Sequence, residues 1–124
     1  MFKSCGWVAS HRPEIVTWTL TPIELTSALS RLVREGSVDA QDVAKLESRI
    51  ERRLQRALLI TSVEEVKPVA RRVLHVHALR AADALQLGAA LLRVNHRPMR
   101  RVFHTFDARL AEAAYKEGFI VPTT

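Results

Sequence analysis

The chain has 124 residues, 48% of them hydrophobic, with only 4 Gly and 5 Pro, a globular composition long enough for one domain with a real core. No stretch of about 18 residues is continuously apolar, which excludes a membrane span, and the opening "MFKSCGWVASHRPE" lacks the apolar centre of a signal peptide. The lone Cys5 excludes an internal disulfide and a thiolate zinc cage and fits a reducing cytoplasm, while the net charge of +6 leaves a basic surface that is either solvated or turned toward nucleic acid or an acidic protein.

The β-branched and aromatic segment "EIVTWTL" (14–20) predicts a buried strand. It runs into "TPIELTSALSRLVREG", a helix with Thr21 suited to the N-cap, Pro22 to the first helical position and Gly36 to the stop. Its apolar stripe is Leu25, Ala28, Leu29, Leu32 and Val33. A second helix, about 38–56, sets Val43, Leu46, Ile50 and Leu54 on one face and carries Arg49, Arg52, Arg53 and Arg56 within two turns. "ALLITSV" (57–63) predicts another strand and "EEVKPVARRVLHVHA" another helix, in which Pro68 is tolerable only in the first turn. "RAADALQLGAALL" (80–92) predicts a helix with Leu79, Leu87, Ala90, Leu91 and Val94 turned inward. Arg93, Arg97, Arg100 and Arg101 form a second basic cluster. "RVFHTF" (101–106) reads as a strand, "DARLAEAAYKEG" (107–118) as a helix closed by Gly118, and "FIVP" as a short last strand. Strands alternating with helices predict an α/β fold with a parallel sheet.

Three acids stand at suggestive places. Glu24 follows the first of these strands and Asp107 follows the strand 101–106. If those strands are parallel, both acids lie at the carboxyl edge of one sheet, where open α/β sheets bind ligands. Asp83 lies four residues after Leu79 and four before Leu87, so it shares or borders a buried face, where an ionised carboxylate is costly unless paired or bound to metal. Each acid also has a structural explanation. "TPIE" is a capping-box pattern with Glu24 reaching back to Thr21. Asp107 suits an N-cap, and Asp83 suits a first turn, paired with Arg80.

Three segments in order, "TPIELTSALSRLVREG", "LRAADALQLGAALL" and "VFHTFDARLAEAA", resemble the motifs of the PIN-domain family, particularly VapC-type toxins. These motifs run strand-Thr-x-x-Glu-x-x-Ser-Ala-Leu, Leu-Arg-x-x-Asp-Ala-x-x-Leu-x-x-Ala and Thr-Phe-Asp-x-x-Leu. The resemblance spans residues 14 to about 121. It implies a three-layer α/β/α domain with a mainly parallel sheet that cuts RNA with Mg²⁺ or Mn²⁺. It further implies a small VapB-like antitoxin partner and a homodimer. By motif match Glu24, Asp83 and Asp107 would be the catalytic acids and metal ligands, with Thr105 as a supporting hydroxyl. Hard oxygen ligands of this kind suit such ions. The three carboxyls are then expected to gather within one metal-site span, where bridged ions sit ~3.5–4 Å apart. Arg49, Arg52, Arg53, Arg56 and Arg80 are the candidate RNA- or partner-binding cations.

One part of the pattern is missing. PIN domains of this type open with a strand ending in Asp-x-Ser-Ala, and no acid precedes Glu14 here. "GWVASHRPEIVTWTL" instead resembles the helix after that strand, leading into the second strand. The family's central first strand and its Asp are therefore expected to be absent. That absence would leave a cleft with unpaired backbone between the strand 14–20 and the strand 101–106, and impaired nuclease activity. A gene start placed too late, a truncated remnant, or completion of the sheet by another chain would each explain the gap, the first two being preferred. The alternative function is a non-catalytic module that retains antitoxin or RNA binding. A third possibility is an unrelated α/β protein whose acids are caps and do not converge. The histidines offer no convincing ligand spacing: His75 and His77 face different sides of a helix, His104 lies mid-strand, and His11 reads as loop or surface.

Overall fold

The computed structural model describes residues 2–4, 14–105 and 107–122. The expectations for Cys5, for His11, for the helix resembling the family's first helix and for Phe106 lie outside these residues. The elements in chain order are β1 (Phe2–Ser4), β2 (Glu14–Trp18), α1 (Thr21–Arg34), α2 (Ala40–Leu54), β3 (Leu58–Ile60), α3 (Val63–Val76), α4 (Ala81–Arg93), β4 (Val102–Phe103) and α5 (Ala108–Glu117). The fold is α/β and mostly helical.

The four strands form one sheet in the order β3-β2-β1-β4. β2 and β3 are parallel, in the register Val16 to Leu58 and Trp18 to Ile60. β1 is antiparallel to both its neighbours, with Phe2 opposite Val16 on one side and Phe103 on the other. This corrects two expectations. The sheet is mixed rather than mainly parallel, and its centre is not vacant. Residues Phe2–Ser4 stand between β2 and β4, antiparallel to both, so β2 and β4 find partners for the backbone groups that a gap would have orphaned. The chain thus completes this sheet itself. Because β1 opposes both flanking strands, β2 and β4 still run the same way. The segment "FIVP" contributes a single parallel bridge, from Ile120 to Val102.

The core gathers Val16, Trp18, Ile60 and Phe103 from the strands, with Val66, Ala70 and Val73 of α3, Leu87 and Leu91 of α4, and Leu110 of α5. Val16, Thr17 and Trp18 are consecutive and all buried, so both faces of β2 are covered. α3 and α4 make the tightest helix pair. A Cβ on Gly88 would stand 3.0 Å from the Ala70 backbone nitrogen, a distance that only glycine leaves open. α1 and α2 pack chiefly on each other, and of their two expected stripes only Leu29 and Val43 are buried. Leu32 and Leu46 remain exposed.

Local signals held at the helix ends and failed at two starts. Gly36 adopts φ +74°, and the Gly36 and Ser37 amides donate to the Val33 and Leu32 carbonyls, the paired closure that a left-handed residue allows. Gly118 closes α5 in the same way at φ +109°. At the start of α1 the cap is Leu20, with Thr21 already helical. The Thr21 hydroxyl is buried with no hydrogen-bond partner among the described residues. Pro68 lies inside α3, past its first turn. A mid-helix proline costs about 3 kcal/mol, and α3 withstands it because Val66, Ala70 and Val73 anchor the buried face while Pro68 itself faces solvent. Among the described residues no helix is long and apolar enough to cross a membrane.

Candidate acidic site

Glu24 and Asp107 occupy one edge of the sheet. β2 and β4 share a direction, Glu24 stands in the first turn of α1 beyond β2, and Asp107 caps α5 beyond β4. This is the carboxyl edge that a parallel sheet would have given them. Asp83 enters from the first turn of α4, a helix packed against β2.

The capping-box reading of Glu24 does not hold. Its side chain turns away from its own helix start, and the Gln86 amide of α4 donates a hydrogen bond to Glu24 Oε2. Burial lifts the Glu24 carboxyl above its ordinary range. The Gln86 bond counters that lift and the negative charge of Asp83 adds to it. Asp83 is raised as well, first by burial and then by the charge of Asp107, with Arg80 pulling in the other direction. The three acids come from segments 24, 83 and 107, and like charge links them in sequence: Asp107 acts on Asp83, and Asp83 acts on Glu24.

Asp107 also keeps its structural role. Its Oδ1 accepts from the Leu110 amide at 2.9 Å, the geometry of a helix cap. Thr105 Oγ1 accepts from the Asp107 amide at 3.1 Å, so Thr105 fixes the backbone on which Asp107 stands. With one Asp107 oxygen held by the cap and one Glu24 oxygen held by Gln86, fewer lone pairs remain for a cation. Among the described residues no three His, Cys, Asp or Glu side chains stand close enough to hold a metal ion.

The candidate cations divide. Arg49, Arg52, Arg53 and Arg56 are exposed on and just past α2. Arg80 is the N-cap of α4, and its charge favours ionised Asp83, a placement at the acids rather than with the α2 arginines.

A second polar cluster was not foreseen. His77, at the end of α3, meets Glu117 Oε2 through Nε2 at 2.6 Å. Arg72 Nη2 donates to Glu117 Oε1 at 2.8 Å. Both contacts hold the Glu117 carboxyl below its ordinary range although burial pushes it up. Glu117 lies 40 residues from His77 and 45 from Arg72, and no local spacing announces such a junction of α3 with α5.

No family model matches the chain, and no curated protein or solved structure matches it either.

Proposed function

We propose that this chain is a PIN-like, VapC-type domain, of three-layer α/β/α architecture, from a toxin–antitoxin system. Its descent is from a Mg²⁺- or Mn²⁺-dependent endoribonuclease, and its own cleavage is impaired. The observation that carries the proposal is the electrostatic chain Glu24–Asp83–Asp107, which links acids of three distant segments beside one sheet edge. These acids are the ones that the motif resemblance selects.

The impairment follows from the same residues. The central strand β1 reads Phe-Lys-Ser and carries no acid, and Asp107 divides its carboxylate between a helix cap and the site. Fewer anionic ligands offset less of the ion's dehydration. RNA is the proposed substrate, a small VapB-like antitoxin and a second copy are the proposed partners, and the cytoplasm is the proposed location. The lack of a three-donor group among the described residues favours a second reading, a non-catalytic module that binds RNA or antitoxin.

RNA cleavage separates the two. The enzyme reading expects slow cleavage at millimolar Mg²⁺ or Mn²⁺, abolished by chelator and by Asp83→Asn. The binding reading expects no cleavage, with RNA retention indifferent to both changes. Robust cleavage that survives Asp83→Asn removes the acids from the site.

A further inference from the structure

From Lys45 onward, one face of α2 carries only cations among its charged residues. Lys45, Arg49 and Arg52 follow one another at spacings of four and three, Arg53 adjoins them, and Arg56 continues the row just past the helix end. All five side chains are exposed, and none makes an ion pair with a described residue. Like charges at these spacings repel one another on a helix. Of the helix's acids, Asp42 stands one turn before Lys45 at the start of the same face, and no ion pair joins them. Glu47 and Glu51 lie one turn apart on another side, where Glu47 accepts a hydrogen bond from the Thr26 hydroxyl of α1 at 2.7 Å. A helix built only to be soluble intersperses its signs.

The same face has a shape. Ala44, Lys45, Ser48, Arg49 and Arg52 line a shallow groove of about 470 Å³. Its lining combines two small side chains, Ala44 and Ser48, with three cations. From Lys45 to Arg56 the row runs about 16 Å at the helical rise. None of the lining residues is aromatic, and the exposed Tyr115 belongs to α5. Proteins that hold single strands stack bases on aromatic side chains. A row of cations with no aromatic side chain among them suits a continuous phosphate ridge, which is how double-stranded RNA is held, by backbone and shape.

We infer that the α2 face is a docking rail for the phosphate backbone of duplex RNA. The choice of RNA rests on the function proposed above; the rail itself makes no use of the acids. It holds the ligand without reading its sequence, because all of its contacts are to phosphate.

The test is fluorescence anisotropy with a labelled 20-base-pair RNA duplex in EDTA across a salt series. The intact chain should bind with a steep salt dependence. Arg49→Ala/Arg52→Ala/Arg56→Ala should weaken binding about tenfold or more and flatten the log–log slope by about 3, one counterion for each lost contact. Arg49→Lys/Arg52→Lys/Arg56→Lys should bind within about threefold of the parent, since charge rather than the guanidinium fork is required. Circular dichroism of both variants confirms that they are folded. An unchanged slope in the alanine variant overturns the rail. So does tighter binding of a single strand of equal length, equal binding of duplex DNA, or binding of polyglutamate in place of RNA. Because EDTA excludes metal, a failed cleavage assay falls on the proposed enzyme and leaves this result standing.

Discussion

Asp83 is where the acids disagree most with their surroundings. Burial and the charge of Asp107 both disfavour its ionised form, and Arg80 only partly compensates. Its folded-state value is therefore raised above 3.8, the unfolded chain gives up the proton more readily, and ionisation works against folding. Stability is full below that unfolded value and declines as the pH rises through the folded one. Asp83→Asn should relieve this at pH 7 by about 0.5 kcal/mol once solvent screening is allowed for, a rise of roughly 2–4 °C in melting temperature. At pH 3 the two proteins should melt together. A variant that melts lower than its parent at pH 7 would mean that Asp83 is a paired structural acid. The sequence already placed Asp83 at the border of an apolar helix face. It could not supply Gln86 as the partner of Glu24, because the two lie 62 residues apart and only the packing of α4 against the sheet brings them together.

At the scale of elements, β1 carries the greatest consequence for its size. Its three residues pair with β2 and two of them also with β4, so that Lys3 faces Ile15 and Val102 at once. Proline there removes a ladder donor in a central strand, where proline is not tolerated. Lys3→Pro should destabilise the domain by about 1–3 kcal/mol for each backbone group left buried and unpaired, seen as a lower urea midpoint. An unchanged midpoint would take β1 out of the sheet. The helices were legible in the sequence because apolar residues recur at helical spacing and Gly36 and Gly118 end two of them. β1 was not, since Phe-Lys-Ser has too few residues to carry a period and its direction is set by strands far along the chain. Pro68 was legible as a breaker, and the packing of α3 on α4 overrode it.

Across the whole molecule the burial is uneven. α3 and α4 build the centre, with Val66, Val73 and Leu87 fully buried, whereas the α1–α2 pair commits only Leu29 and Val43. Amide hydrogen exchange should show α1 and α2 opening locally at a free energy roughly 2 kcal/mol or more below that of α3 and α4. Equal protection in both pairs would make the domain one cooperative unit. The reversed β1 has a further consequence, for the order in which the protein is made. Phe2 leaves the ribosome about a hundred residues before its partner Phe103, a delay of ~5–20 s at ordinary rates of synthesis. During that interval the β1–β2 hairpin can form, because its two strands are near neighbours in the chain. One side of β1 must then wait as an open edge, and the nascent protein carries an unpaired strand until β4 has been made.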